Sequence, residues 1–404
     1  MRITDIRSLL HHPARLTLIE VHTDAGIVGL GSTGSPPGMI ESIIDDPGDG
    51  LRQLVVGEDP GDPEALWRRM AERWPAQRGR ADRGGLQANA MGAIDMAVWD
   101  IAGKAAGKPV HELLGGARRD RVLAYGSAST MFYAASKKSD ETARERELRH
   151  KPPEEIAREC TTLREQGFRA VKFGWGNDFG DEGMAKLAAA REALGPDVRL
   201  SVDFGCPAYF DPSWSVEQAI EAAHKLEAYD VYFFEEALHP LDVDGFAEVT
   251  AATSVHIATG ESLTTTEEFE PFIRQRALDI VQPDAAQMGI TQTFQVARDA
   301  EAAGMMCVPH GPWTVFTVTC HTQILSVAGL EPMIEYPALV SYRGEGLVTQ
   351  RATALANYEL VETPPELVDG HVVLPQGPGL GLGNFVPEAV ERYQALMEEA
   401  ASMS

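Results

Sequence analysis

From about residue 119 the chain repeats one unit. A short apolar run ends in a polar or acidic residue, a turn follows, and then comes a longer stretch with apolar residues at helical spacing. The runs are RVLAYGS, FRAVKFG, VRLSVDFG, VYFFEE, HIATGE, LDIVQPD, MMCVPH and PMIEYP. The stretches between them predict helices at about 154–166, 182–194, 216–226, 245–251, 265–274, 291–303 and 317–327. Strands that alternate with helices build a parallel sheet. Eight such units are the count of a closed (β/α)8 barrel of the TIM type, whose strands all end at one face.

The chain before this repeat is patterned differently. Residues 1 to about 35 alternate in strand fashion, with a turn at Asp24-Ala25-Gly26. Residues 39–115 read as helices, the strongest being LQANAMGAIDMAVWDIAGKAAGKPVHELLGG. Its Met91, Ile94, Val98 and Ile101 recur at helical spacing, and Gly107-Lys108-Pro109 ends it. The expected fold class is α/β: a modified barrel (119–350) behind an N-terminal α+β capping domain (1–118). Residues 351–404 are expected to return to the capping domain and finish in a helix. The loop from Ser32 through Thr33 to Gly38 is either a surface connector or a mobile flap over the barrel mouth. The charged stretch from Lys137 to Lys151 reads as an exposed insertion.

Composition narrows the function classes. With 60 acidic against 35 basic residues the net charge is −25, which argues against nucleic acid, where binding rests on basic contacts. No apolar run approaches the roughly 18–20 residues of a membrane span, and MRITDIRSLL lacks the apolar core of a signal peptide. Cys160, Cys206, Cys307 and Cys320 are too sparse for a disulfide scaffold and form no C-x-x-C. A cytoplasmic location is expected.

The candidate chemistry sits at the ends of the strand-like runs. Asp203, Glu235 and Glu261 close three successive runs, so a barrel would bring their carboxylates to one mouth. Convergent carboxylates repel one another unless a cation joins them, and oxygen-only ligands select a hard ion, Mg²⁺ first. Asp284 and His310 follow the next two runs. The carboxylate would orient the ring and tune it as a general base and then a general acid. Glu335 ends the eighth run, where its protonated form could donate to a developing enolate oxygen. Lys172 in VKFGWG shares its strand face with Gly174 and is placed to bind or polarise a substrate carboxylate. These parts suit removal of a proton α to a metal-bound carboxylate. Reprotonation would make a racemase or epimerase, and loss of a β-hydroxyl a dehydratase. Trp175, Tyr209 and Trp313 are either packing aromatics or substrate contacts, and Thr33 would contact substrate from the flap.

The AIDMAVWDIAGKAAGKPVHELLGG helix and the ordered series Lys172, Asp203, Glu235, Glu261, Asp284, His310, Glu335 resemble the enolase superfamily, in its mandelate racemase subgroup. The resemblance covers nearly the whole chain. It implies one Mg²⁺ per subunit on Asp203, Glu235 and Glu261, an Asp284–His310 dyad, Glu335 as hydrogen-bond donor, closure of the Ser32–Gly38 loop, and a homo-oligomer. Two positions depart from the pattern. The second lysine often found after strand 2 is Gly174 here, and the usual Glu-Glu-Pro reads Glu235-Glu236-Ala237. With His310 as the one obvious base, the resemblance points to dehydration of a sugar acid to a 2-keto-3-deoxy product. An epimerase using Lys172 as second base is the alternative, and an inactive binding relative comes third.

Overall fold

The computed structural model describes residues 1–14, 16–78, 84–129, 131–132, 149–176, 178–205, 214–311, 314–337, 356 and 358–403. The N-terminal domain is an antiparallel sheet of β1 (Ile3–Ser8), β2 (Thr17–Thr23) and β3 (Val28–Thr33), followed by α1 (Pro37–Asp45), α2 (Arg52–Val55), α3 (Pro63–Arg78), α4 (Leu86–Ala106) and α5 (Val110–Leu113). The sheet's alternation buries Ile3, Ile6, Ile19 and Val21 against Ile94, Val98 and Ile101 of α4. β3 lies very close to α4. A Cβ added to Gly31 would stand about 2 Å from Ala93 O, so only glycine allows that approach.

The barrel strands are β4 (Arg121–Ser129), β7 (Ala170–Gly174), β8 (Arg199–Asp203), β9 (Val231–Glu235), β10 (His256–Thr259), β11 (Ile280–Val281), β12 (Met306–Cys307) and β13 (Met333–Pro337). Between β4 and β7 lies the short pair β5 (Met131–Phe132) and β6 (Arg149–His150), then α6 (Pro153–Glu165). The further helices are α7 (Asp181–Leu194), α8 (Val216–Glu227), α9 (Val243–Ala252), α10 (Thr266–Gln275), α11 (Ala285–Ala303) and α12 (Val315–Val327). Parallel pairing runs β13-β4-β7-β8-β9-β10-β11-β12, and a parallel bridge from Met306 to Leu330 closes the ring. Helix starts follow their sequence signals: Ser215 with Gln218 and Thr265 with Glu268 each form a reciprocal capping box.

Each predicted strand and helix of the barrel is present, but β11 and β12 are only two residues long. The chain then leaves the ladder and carries Asp284 and His310 in the following turns. After residue 350 come β14 (Leu367–Val368), β15 (His371–Val373) and the final helix α13 (Pro387–Met403). This segment touches both domains. β15 pairs antiparallel with β4, Gly379 exchanges backbone bonds with Lys108 and Val110, and Gln394 accepts from His11 N. Most of the charged stretch 137–151 lies outside the described residues. Its last residue, Lys151, is buried and paired with Glu159 at 2.7 Å, contrary to the exposed insertion expected. No helix among the described residues is long and apolar enough to cross a membrane.

Candidate active site

The inner face of the barrel is set by alternation along the strands. Tyr125, Ala170, Phe233, Ala258, Ile280, Val308 and Met333 form one apolar cluster drawn from strand after strand. Side chains two residues apart share a face. Two positions on from Ala170, Phe233, Val308 and Met333 stand Lys172, Glu235, His310 and Glu335, one layer nearer the mouth.

Lys172 is the hub of this layer. Its Nζ lies 2.8 Å from Glu235 Oε2 and 3.3 Å from both Asp203 Oδ2 and Glu335 Oε1. Burial disfavours its charge, but Glu235, Glu335, Tyr125 and Asp203 outweigh burial and hold the ammonium well above the ordinary lysine value. His310 is the second cation. Nδ1 faces Asp284 Oδ2 at 3.1 Å, and Nε2 faces Glu261 Oε2 at 3.0 Å. Burial again works against the charge, and Glu261 and Asp284 outweigh it, raising the imidazole above its ordinary value while Glu261 faces it.

The second carboxylate oxygen of Asp284 caps α11 by accepting from Ala286 N at 2.8 Å, so one side chain fixes both helix and ring. Gly311 follows His310 at φ +110°, and a Cβ there would meet Asp284 Oδ2 at 2.6 Å. Only glycine leaves room for the dyad and lets the Gly311 N–H reach Glu335 Oε2 at 2.9 Å.

The seven expected residues thus reach one mouth. Asp203, Glu235 and Glu261 were expected to converge as a metal trio. Among the described residues, however, no three carboxylate, His or Cys side chains stand in a ready-made metal-ligand arrangement. The carboxylates are instead shared out between two cations, Asp203 and Glu235 to Lys172 and Glu261 to His310. Buried charges need partners, and these are the positive groups within reach. Glu335 was expected as a protonated donor. Burial would raise its pKa, but Lys172, His310 and the Gly311 N–H hold it well below the usual carboxylate value, so here it accepts.

A cation still fits this site. Among the described residues, the carboxyl groups of Asp203, Glu235, Glu236, Glu261, Asp284 and Glu335 outnumber the two cations beside them, Lys172 and His310. Glu235 Oε1 and both oxygens of Glu236 are buried with no hydrogen-bond partner among the described residues. Burial, then neighbouring carboxylates, raises the pKa of Glu236; burial raises that of Glu261 against the opposing charge of His310. An all-oxygen donor set with unmatched negative charge suits a hard divalent ion.

The remaining contacts divide. Trp175 follows the inward-facing Gly174 and so turns outward. It is fully buried in the core, and its Nε1 donates to Asp178 O at 2.7 Å, which removes it as a substrate contact. Thr33 is the last residue of β3 rather than part of a long flap. It is buried, and its hydroxyl lacks a partner among the described residues. The connection to α1 is three residues, because Pro37 already opens the helix. Neighbouring Ser32 Oγ meets Thr314 Oγ1 at 3.2 Å, and Gly85 N donates to Thr264 Oγ1 at 2.9 Å. The N-terminal domain thereby touches the loops that follow His310 and Glu261. Trp313 and Tyr209 lie outside the described residues. Sequence reasoning missed Tyr125, over whose ring Lys172 Nζ sits at 5.7 Å, and gave no role to Glu236. Counting by two along RVLAYGS from Leu123 would have found Tyr125.

Two family patterns match the chain. The mandelate racemase / muconate lactonizing enzyme N-terminal domain matches residues 7–115, and the enolase C-terminal domain-like pattern matches residues 155–383. The chain is similar to L-talarate/galactarate dehydratase of Salmonella typhimurium, with 31% identity over 70% of this chain and 63% of that protein. It is also similar to arabinonate dehydratase of Saccharolobus solfataricus, at 29% over 93% of this chain and 90% of that one. Among solved structures, 3,6-anhydro-D-galactonate cycloisomerase from Zobellia galactanivorans superposes with a TM-score of 0.79. There the identity is 26%, covering 97% of this chain and 99% of that one.

Proposed function

The chain belongs to the mandelate racemase / muconate lactonizing enzyme family of the enolase superfamily, and from that premise we propose that it is a hydro-lyase acting on a sugar acid. It would remove the proton α to the carboxylate and expel the β-hydroxyl as water, leaving a 2-keto-3-deoxy acid. The observation that carries this reading is the placement of the two candidate bases. Lys172 is ion-paired to three carboxylates, and Gly174 stands where a second lysine would serve the opposite face. That leaves the His310–Asp284 pair to move the proton.

Asp284 holds the ring through Nδ1, so Nε2, once freed from Glu261, takes the α-proton and returns it to the departing hydroxyl on the same face. Lys172 supplies positive charge where the enediolate oxygens develop, at a place too buried for water to screen it. Asp203, Glu235 and Glu261 would hold one Mg²⁺ per subunit. Bound there, it would offset their charge, acidify the α-proton and stabilise the enediolate. A homo-oligomer is the setting that the resemblance implies, and a cytoplasmic location is the expectation from composition.

Similarity to a cycloisomerase favours a second reading, in which the same base starts an internal rearrangement. One experiment separates the two. The protein is incubated with Mg²⁺ and a panel of aldonates and aldarates, 2-keto products are trapped with semicarbazide, and product masses are read. A product lighter than its substrate by one water is expected. A product of unchanged mass would transfer the assignment to an isomerase. Absence of both turnover and α-proton exchange in D₂O across the panel would overturn the reading.

A further inference from the structure

Near the start of α4, Asn89, Gly92 and Asp95 recur at a spacing of three and so share one side of the helix. They run along residues 287–291 of α11 in order. Asp95 binds Thr291, and a Cβ on Gly92 would stand 2.7 Å from Gly289 N, so the helices meet there backbone to backbone. Asn89 closes the row with partners on both sides. Two carbonyls and a hydroxyl surround its amide, and that setting fixes which atom is the nitrogen. Nδ2 donates to Gln287 O and Gly85 O, each at 3.1 Å, and Oδ1 accepts from Ser35 Oγ at 2.7 Å.

Ser35 is the middle one of the three residues that join β3 to α1. It is buried, and Thr17 Oγ1 donates to its carbonyl at 2.7 Å. Gln287 lies in the first turn of α11. Its Nε2 donates to Glu261 O, and its N–H donates to Asp284 O at 2.9 Å. Glu261 and Asp284 are the two residues whose carboxylates meet Nε2 and Nδ1 of His310. Two side chains, Asn89 and Gln287, thus connect the capping domain to both groups that orient the imidazole.

We propose that Asn89 is a positioning residue, joining the β3–α1 connector to the strand ends that hold His310. The proposal deepens the reading of His310 as the proton carrier and rests on it. An amide does not titrate, so Asn89 acts through Gln287, which fixes the backbones of Glu261 and Asp284. Proton transfer is sensitive to such placement, because the reacting groups must meet in near-attack geometry.

The test is Asn89→Asp in the full chain. Aspartate keeps the shape and still accepts from Ser35, but it offers no proton to Gln287 O. Turnover is measured on the substrate found by the semicarbazide screen, and backbone hydrogen exchange of residues 32–40 and 285–291 is followed without substrate. The variant is expected to lose about 10- to 100-fold in kcat with a smaller change in KM, and to exchange faster at 285–291. A packing role alone would lower Tm and leave the kcat of the folded protein unchanged, and that result would overturn the proposal. Absence of turnover in the wild type would overturn the reading of His310 instead. Exchange then decides on the link by itself: faster exchange at 285–291 upholds it, and unchanged exchange in both segments dismisses it. Should Asn89→Asp not fold, Ser35→Ala cuts the same link at its other end. A lower kcat is expected there too, and an unchanged kcat would dismiss the connection.

Discussion

Lys172 meets Glu235 at 2.8 Å and both Asp203 and Glu335 at 3.3 Å, while His310 divides its two nitrogens between Asp284 and Glu261. At the scale of single residues the mouth is organised by charge matching, and the roles follow from which groups remain ionised. A lysine among three carboxylates does not give up its proton at neutral pH, so it serves as an electrostatic anchor. The imidazole can cycle once a cation draws away Glu261, the neighbour that does most to hold its proton. His310→Asn keeps a donor toward Asp284 but cannot take a proton. It is expected to lower kcat by about 10²–10⁴-fold. Calorimetry should find Mg²⁺ binding retained, since His310 is not among the carboxylate donors. Full turnover in that variant would remove the dyad from the mechanism.

At the scale of elements, α11 and α12 hold the dyad from behind. α12 is buried along its whole length although it carries Thr, His, Gln and Ser, and His321 on it accepts from Ala285 N at 3.0 Å. That bond secures the first turn of α11 directly beside Asp284. Burial pushes the His321 pKa down to about 4, with Asp284 opposing, so the folded protein keeps this ring neutral. A depressed histidine contributes stability that is full above its ordinary value of 6.5 and is lost as pH falls toward 4. Glutamine can still accept from Ala285 N but does not titrate. His321→Gln is therefore expected to melt with a shallower loss of Tm between pH 6.5 and pH 4 than the wild type. The difference amounts to roughly 3 kcal/mol at the acid end. Parallel melting curves would place the acid sensitivity elsewhere.

At the scale of the whole molecule, α4 joins the two domains. Asp95 accepts from Thr291 N at 2.8 Å and Thr291 Oγ1 at 2.6 Å, and Trp99 Nε1 donates to the same hydroxyl at 2.9 Å. Asp100 gathers Leu30 N, Leu380 N and Lys104 Nζ, tying β3 and the C-terminal segment to the helix. Burial raises the Asp95 carboxyl to about 7, with Thr291 opposing. Its contribution to stability is full below the ordinary value of 3.8 and is lost as pH rises through 7. Asp95→Asn is expected to lose less Tm than the wild type between pH 5 and pH 8, by an amount on the order of 1–4 kcal/mol. An equal loss in both proteins would show that the fold does not raise the Asp95 pKa.

Much of this was legible in the residues themselves. The eight apolar runs and the helices between them could be read because each has its own period. The strand-end acids stood out because a polar group that closes an apolar run is costly without a use. Lys172, Glu235, His310 and Glu335 share an inner face by simple alternation, which also turns Trp175 out of the site. Tertiary structure decided the rest, because it rests on contacts between residues far apart in the chain. Spacing along the chain does not reveal that Lys172 and His310 divide the carboxylates, or that Glu335 is an acceptor beside the Gly311 N–H. Nor does it show that β3 ends against the Thr314 loop. The turn of Glu236 to φ +58° is also a decision of the folded backbone. The order of residues determined which chemical groups meet at the mouth. Packing and charge in a buried space decided which partner each of them takes.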